Sequence, residues 1–245
     1  MTVPLPRRLA AELLGTAVLV AAIIGSGIMA RRLSPDDAGL QLLQNGAATM
    51  LALGVLIAVL GPVSGAHLNP AVAVADWWAA RGTGVGLTGA EVGAYSAAQV
   101  TGGLVGAVLA NLMFDVPTTL AATGRSGAGQ LVGEVVATAG LVAVVLALVR
   151  AGRTHLAAPA VAAWIGSAIW FTSSTAFANP AVTLGRMLSD TFAGIAPLDV
   201  PAFLAAQLVG AGLGVAVVAV LQPRVAAEPV VVEACPQSPP WNRVR

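Results

Sequence analysis

Ser64-Gly65-Ala66-His67-Leu68-Asn69-Pro70-Ala71-Val72 is the stretch on which the reading of this chain turns. Its last four residues return as Asn179-Pro180-Ala181-Val182, inside Ser174-Thr175-Ala176-Phe177-Ala178-Asn179-Pro180-Ala181. Asn is scarce, and two of the five in 245 residues open these copies, so the recurrence is not a by-product of composition. Pro fits the first turn of a helix, where its missing N–H would go unused. Asn directly before it is a good N-cap. Each copy therefore reads as a helix start, Pro70 to about Ala79 and Pro180 to about Ser189. Both helices are too short for a bilayer, which takes ~20 residues.

Around these copies lie six long apolar segments, at about 8–30, 40–60, 91–113, 130–150, 158–175 and 201–222. The chain is 57% hydrophobic and 9% charged, where a soluble domain carries about 25% charged residues, so it reads as a polytopic membrane protein. Arg7 and Arg8 precede the first apolar run as in a signal peptide. That run is too long for a signal segment and meets Glu12 early, so it reads as a retained first span. A net charge of +1 without a basic cluster gives no reason to expect nucleic acid. One Cys, Cys235, excludes an internal disulfide or cysteine metal site, and two His without helical pairing argue against zinc or haem; no cofactor is expected. The stretch from Gln222 has five Pro in 24 residues, and residues 223–245 are expected to form an extended or disordered tail, with Cys235 a bystander in it.

Two further pairs of stretches join the Asn-Pro-Ala copies. Ala11-Glu12-Leu13-Leu14-Gly15-Thr16 resembles Gly133-Glu134-Val135-Val136-Ala137-Thr138, and Ala97-Ala98-Gln99 recurs as Ala205-Ala206-Gln207. Three anchors in the same order define two homologous halves, about 1–115 and 125–222, within one domain over 1–222. Each half has three spans, an odd number, so the second must lie upside down in the membrane. The short helices then enter from opposite faces and meet at the midplane with their N-termini facing. Arg placement favours both termini in the cytoplasm, with eight Arg on that side against four outside. Non-helical backbone at mid-membrane depth survives only where it is buried in protein or lines water, which puts Ser64–Leu68 and Ser174–Ala178 on a pore wall.

The paired motifs and the inverted halves resemble those of the aquaporin and glycerol-facilitator channels, the major intrinsic proteins, over about residues 7–222. The resemblance implies an all-α membrane protein, a right-handed bundle of six transmembrane helices plus two re-entrant half-helices, and a homotetramer with one pore per protomer. It implies that carbonyls of Gly65, Ala66, His67, Ala176, Phe177 and Ala178 form a ladder of acceptors. Asn69 and Asn179, each followed by Pro-Ala (Pro70-Ala71 and Pro180-Ala181), would be the central donors, between helix ends whose positive dipoles repel cations. Glu12 and Glu134 are intramembrane carboxylates, costly at ~2.5–3.5 kcal/mol on insertion scales. One reading makes them a proton-coupling pair. The family reading has each hold a re-entrant loop by accepting its backbone N–H groups. His67 is expected to be a structural residue at the pore edge. Gly102 with Gly106 and Gly210 with Gly214 read as close-packing pairs.

Counted from the motifs, the family's four selectivity positions fall on Thr49, Ser167, Ala176 and Val182. Water-selective members carry an aromatic, a His, a small residue and an Arg there. Glycerol facilitators keep the Arg and follow it with Asp, where this chain has Thr183. Thr, Ser, Ala and Val imply a wide, weakly polar constriction without a fixed charge. Arg186 lies one helical turn beyond Val182, either paired with Asp190 or standing in the outer vestibule as a displaced cation that draws oxyacids. The stretch Phe177–Arg186, running on to Asp190-Thr191-Phe192-Ala193-Gly194-Ile195, resembles a bacterial subgroup associated with arsenic-resistance operons. That implies a passive channel in the bacterial cytoplasmic membrane for water and small uncharged solutes, metalloid hydroxides such as arsenous acid among them. A plain water or glycerol channel is the alternative, and an ion-coupled transporter using Glu12 and Glu134 a second. No Ser/His/Asp, metal or phosphate-loop constellation points to an enzyme.

Overall fold

Six apolar runs need six helices, because a backbone in hydrocarbon must satisfy its own hydrogen bonds. A computed structural model describes residues 3–81 and 86–222. The expectations for the tail at 223–245 and for Cys235 lie outside the described residues. Long helices form at Leu5–Leu33 (α1), Ala38–Ser64 (α2), Gly89–Met113 (α4), Ala128–Arg150 (α5), Ala157–Phe171 (α6, led by a 3-10 turn at Thr154–Leu156) and Val200–Leu221 (α8). With that turn included, six helical segments among the described residues are long and apolar enough to cross a membrane. The two Asn-Pro-Ala copies start the short helices Pro70–Ala80 (α3) and Pro180–Arg186 (α7).

Local chemistry explains the helix starts. Asp37 caps α2 by accepting from Leu40 N–H, and Thr88 with Glu91 forms a reciprocal capping box on α4. Asn69 and Asn179 are extended at φ −158° and −157°, and their side chains accept from Ala71 N–H and from Ala181 and Val182 N–H respectively. Two ends differ from the sequence expectation. α6 stops at Phe171 rather than 175, where Thr172 turns extended and its hydroxyl bonds back to Ala168 O. α7 stops at Arg186 rather than Ser189, because Ser189 is drawn to Asn111 Oδ1 at 2.7 Å and the chain unwinds into turns to reach it.

The halves pack alike. α1 lies along α4 and α5 along α8, each pair closing over glycines. A Cβ at Gly102 or Gly106 would come within 2.3 or 2.2 Å of α1 carbonyls, and one at Gly210 or Gly214 within 2.6 or 2.5 Å of α5 carbonyls. These small-residue faces are thus used up inside one chain. α7 seats on α4 just as closely: a Cβ at Gly103 would come within 2.5 Å of Ala181 O, and one at Gly185 within 2.6 Å of Gly103 O. The segment between α4 and α5 has no helix and lies over the end where α7 points. Its Ala121 N–H donates to Met187 O at 2.9 Å and its Arg125 N–H to Asp199 Oδ2 at 2.6 Å.

Candidate functional site

A cavity of about 780 Å³ runs through the bundle. At one end it is lined by Asp76, Thr154 and His155, at the other by Arg186, and both Asn69 and Asn179 are on its wall between them. Its centre is built by the two re-entrant loops, which tie each other. Asn69 Nδ2 donates to Ala178 O at 2.7 Å, and Asn179 Nδ2 donates to Leu68 O at 2.8 Å. Each Asn thus uses its oxygen to cap its own helix and one amide hydrogen to grip the opposite loop. The helix N-termini face each other across this tie, as the inverted repeat requires.

The loops have unusual backbone. Ala66, Leu68, Thr175, Ala176 and Ala178 all have φ between 47° and 60°, and Gly65 sits at 87°. Five of these six are not glycine, and left-handed backbone costs an L-residue roughly 1–2 kcal/mol. Positions 65, 66 and 68 match 175, 176 and 178 across the repeat, so the strain is symmetric. Two buried carboxylates hold it. Glu12 accepts from Ser64 Oγ (2.6 Å), His67 N–H (3.0 Å), Leu68 N–H (2.6 Å) and Gln99 Nε2 (2.7 Å). Glu134 accepts from Phe177 N–H (2.8 Å), Ala178 N–H (2.9 Å) and Gln207 Nε2 (2.6 Å). Hydrogen bonds to a charged group are worth about 1.5–3 kcal/mol each, enough to offset the strain. Both Glu are fully buried behind the loops and neither is on the cavity wall.

This twisted backbone lies along the cavity. The carbonyls of Gly65, Ala66, His67, Ala176 and Phe177 accept from no protein donor among the described residues, and all five residues line the wall. Ala178 also lines it, and its carbonyl accepts one bond from Asn69 Nδ2. His67 stands over the Tyr95 ring edge-on at 5.5 Å, with Nε2 3.8 Å from Asp76 Oδ2.

Of the four positions inferred for the constriction, Thr49, Ala176 and Val182 line the cavity. Thr49 is buried and its hydroxyl has no protein partner. Ser167 does not line it. The residue is exposed on the outside of α6, donating to Trp164 O at 2.8 Å. Counting twelve back from Asn179 assumed a fixed connection, whereas α6 ends at Phe171 and its phase turns Val161, Ile165 and Ile169 inward. That i, i+4 stripe was readable as helical periodicity and was the signal to follow. Asp76 and Asn45, also on the wall, carried no motif that would single them out.

Arg186 does not pair with Asp190, whose Oδ1 accepts from Ala122 N–H instead. It is buried, donates from Nε to Ala193 O, and lays its guanidinium over the Phe177 ring at 3.4 Å. Arg125 lies over the same ring at 4.9 Å and donates to Gly194 O at 2.7 Å. Burial pushes the Arg125 guanidinium below its ordinary value, opposed by the Glu134 charge. Among the described residues no group of His, Cys, Asp or Glu is placed to hold a metal.

Residues 1–178 match the major intrinsic protein family. The chain is 46% identical over 239 residues to aquaglyceroporin AqpS of Rhizobium meliloti, covering 96% of this chain and 98% of that one. It is 31% identical over 243 residues to the glycerol uptake facilitator protein of Pseudomonas aeruginosa, covering 83% and 84%. The fold matches the X-ray structure of the aquaglyceroporin from Plasmodium falciparum with a TM-score of 0.67 at 20% identity, over 88% of this chain and 96% of that one. With a cavity threading six membrane-spanning helices, the chain is a multi-pass membrane channel, and it belongs to the major intrinsic protein family.

Proposed function

We propose that this protein is a passive channel for water, glycerol and small uncharged metalloid hydroxides such as arsenous acid. The observation that carries this is the wall of the cavity. Val182, Ile165, Ile169 and Leu53 give it a broad apolar side, and free carbonyls from Gly65 to His67 and from Ala176 to Phe177 give it a line of acceptors. A solute with several hydroxyl donors, neutral and compact, suits both sides. Glycerol and arsenous acid share that array, and the names of the relatives from Rhizobium meliloti and Pseudomonas aeruginosa agree with the glycerol part. The selectivity set is then Thr49, Ala176, Val182 and the α6 stripe, with Asn69 and Asn179 as central donors. Each Asn keeps a second amide hydrogen beyond the one spent on the opposite loop.

Conduction needs no coupling ion here. The two intramembrane carboxylates accept four and three hydrogen bonds and stand off the wall, so they serve as anchors. Arg bias supports an orientation with both termini in the cytoplasm of a bacterial inner membrane, the Arg186 end facing out. A homotetramer is supported by the family, not by the glycine faces, which are spent within the chain. Light scattering in mild detergent tests it, and a monodisperse monomer contradicts it.

Proteoliposomes test the substrate reading. Stopped-flow light scattering should give water, glycerol and arsenous acid influx well above that of empty vesicles. Water and glycerol flux without arsenous acid flux would leave a plain water and glycerol channel.

A further inference from the structure

Among the described residues, Arg186 is the one charged residue lining the outer half of the cavity; Asp76, His67 and His155 line the other half. A buried guanidinium normally meets a carboxylate, because an uncompensated charge in a low-dielectric site is expensive. Arg8 pairs with Glu91 and His67 with Asp76, and Arg186 is in neither pair. Asp190, four residues on, is turned away to Ala122 N–H. The Glu134 charge acts on Arg186 only from a distance, because its oxygens are taken by Phe177 N–H, Ala178 N–H and Gln207. The Nε of Arg186 is fixed by Ala193 O and its plane by Phe177, so the fork is held in one orientation. Its two terminal nitrogens donate to no protein acceptor among the described residues, although the side chain is more than nine-tenths buried. A second cation, Arg125, lies over the same aromatic ring and adds to the positive potential. Held planar and cationic on the cavity wall, with two nitrogens that no protein acceptor among the described residues takes, such a group matches a carboxylate or similar oxyanion bidentately.

We propose that Arg186 makes the outer end of this pore a binding site for the anion of a small oxyacid, a solute of glycerol's size with one carboxylate or comparable oxyanion in place of a hydroxyl group. The inference rests on the channel reading above. The wall inward of Arg186 is apolar at Val182, Ile165 and Ile169 and offers the anion no second cation. A bound anion therefore occupies the mouth instead of crossing, and it competes with neutral solute. This ties Arg186 to selectivity by charge, while Val182 sets the aperture.

The probe is sodium glycerate, which differs from glycerol by one carboxylate. Binding to the full-length protein in detergent is measured by isothermal titration calorimetry, and competition by glycerate inhibition of glycerol influx into proteoliposomes. Wild type should bind glycerate and be inhibited by it in parallel. Arg186→Gln should weaken glycerate binding at least about tenfold, the effect of losing one charge-assisted bidentate contact. Arg125→Gln, which removes the more distant charge together with its bonds to Gly194 O and Phe192 O, should weaken it about twofold to threefold. Arg186→Lys keeps the charge without the fork and should weaken binding severalfold. If Arg186→Gln does not elute as a folded species, Arg186→Lys carries the test, and unchanged affinity in it overturns the proposal. Wild type that conducts glycerol but binds no glycerate overturns the site alone. Wild type that conducts neither water nor glycerol overturns the channel reading, while calorimetry still decides the site.

Discussion

The loop before Asn69 and the loop before Asn179 share a backbone and differ in the side chains that surround the solute. Both have left-handed residues at matched positions, both hang from a buried Glu backed by a Gln, and both set an aromatic pair edge to face. In the first loop that pair is His67 on Tyr95 at 5.5 Å; in the second it is Phe177 on Phe203 at 5.2 Å. The first is polar throughout. Tyr95 donates to Ser64 O at 2.9 Å and accepts from Arg8 at 2.7 Å, while His67 leans on Asp76. The second has no hydroxyl at Phe203 and carries two guanidiniums over Phe177, where the first has Arg8 alone over Tyr95. The repeat thus preserves what holds the pore open and lets the two mouths diverge. Scaffold is symmetric because both loops face the same problem of strained backbone in a membrane. Chemistry is asymmetric because solute arrives at two different surfaces.

If that division is right, breaking the scaffold has the largest effect. Glu12→Gln should destabilise the protein by about 3 kcal/mol, since its amide hydrogens would face the backbone N–H groups the carboxylate now accepts. Glu134→Gln should cost about 1 kcal/mol less, having three donors to disappoint rather than four. Thermal unfolding in detergent checks both. Two stable variants that had lost pH-dependent uptake would turn the anchors into coupling residues.

A smaller effect is expected at the tie between the loops. Asn69→Asp and Asn179→Asp each replace the Nδ2 donor with a second acceptor, so the bond to Ala178 O or Leu68 O becomes a repulsion. Proteoliposomes with either variant should leak protons and conduct glycerol more slowly. Folded variants with neither change would remove the Asn pair from the centre of the mechanism.

At the aperture, Val182→Arg should raise the ratio of water to glycerol permeability by roughly an order of magnitude, because a bulky cation narrows the pore for all but water. An unchanged ratio would mean that Val182 does not stand at the narrowest level. The smallest effect separates the two faces of α6. Ile169→Ala should raise glycerol permeability about twofold by removing wall volume, whereas Ser167→Ala should leave it as it was. The reverse pattern would restore Ser167 to the pore.

Most of the fold was legible because it rests on local signals. Six apolar runs, two Asn-Pro starts and three paired anchors suffice to place the spans and invert the halves. The central residues were legible for the same reason, since the motif is contiguous. What failed was long-range or conformational. Ser167 was misplaced because a residue count ignores where α6 ends and which way its helix phase points. The left-handed backbone of Ala66, Leu68, Ala176 and Ala178 has no glycine to announce it; tertiary hydrogen bonds to Glu12 and Glu134 impose it. Arg186 was readable as a nearby cation, but its partner depends on how the chain folds back at Ala193, which no spacing rule gives.

Passive conduction through a pore whose carboxylates are anchors should be blind to a proton gradient. Proteoliposomes holding equal glycerol inside and outside are given a pH difference, and internal glycerol is followed over time. The account predicts no net movement in either direction, and downhill flux that a protonophore does not alter once a glycerol gradient is applied. Accumulation of glycerol driven by the pH difference and abolished by the protonophore would contradict it.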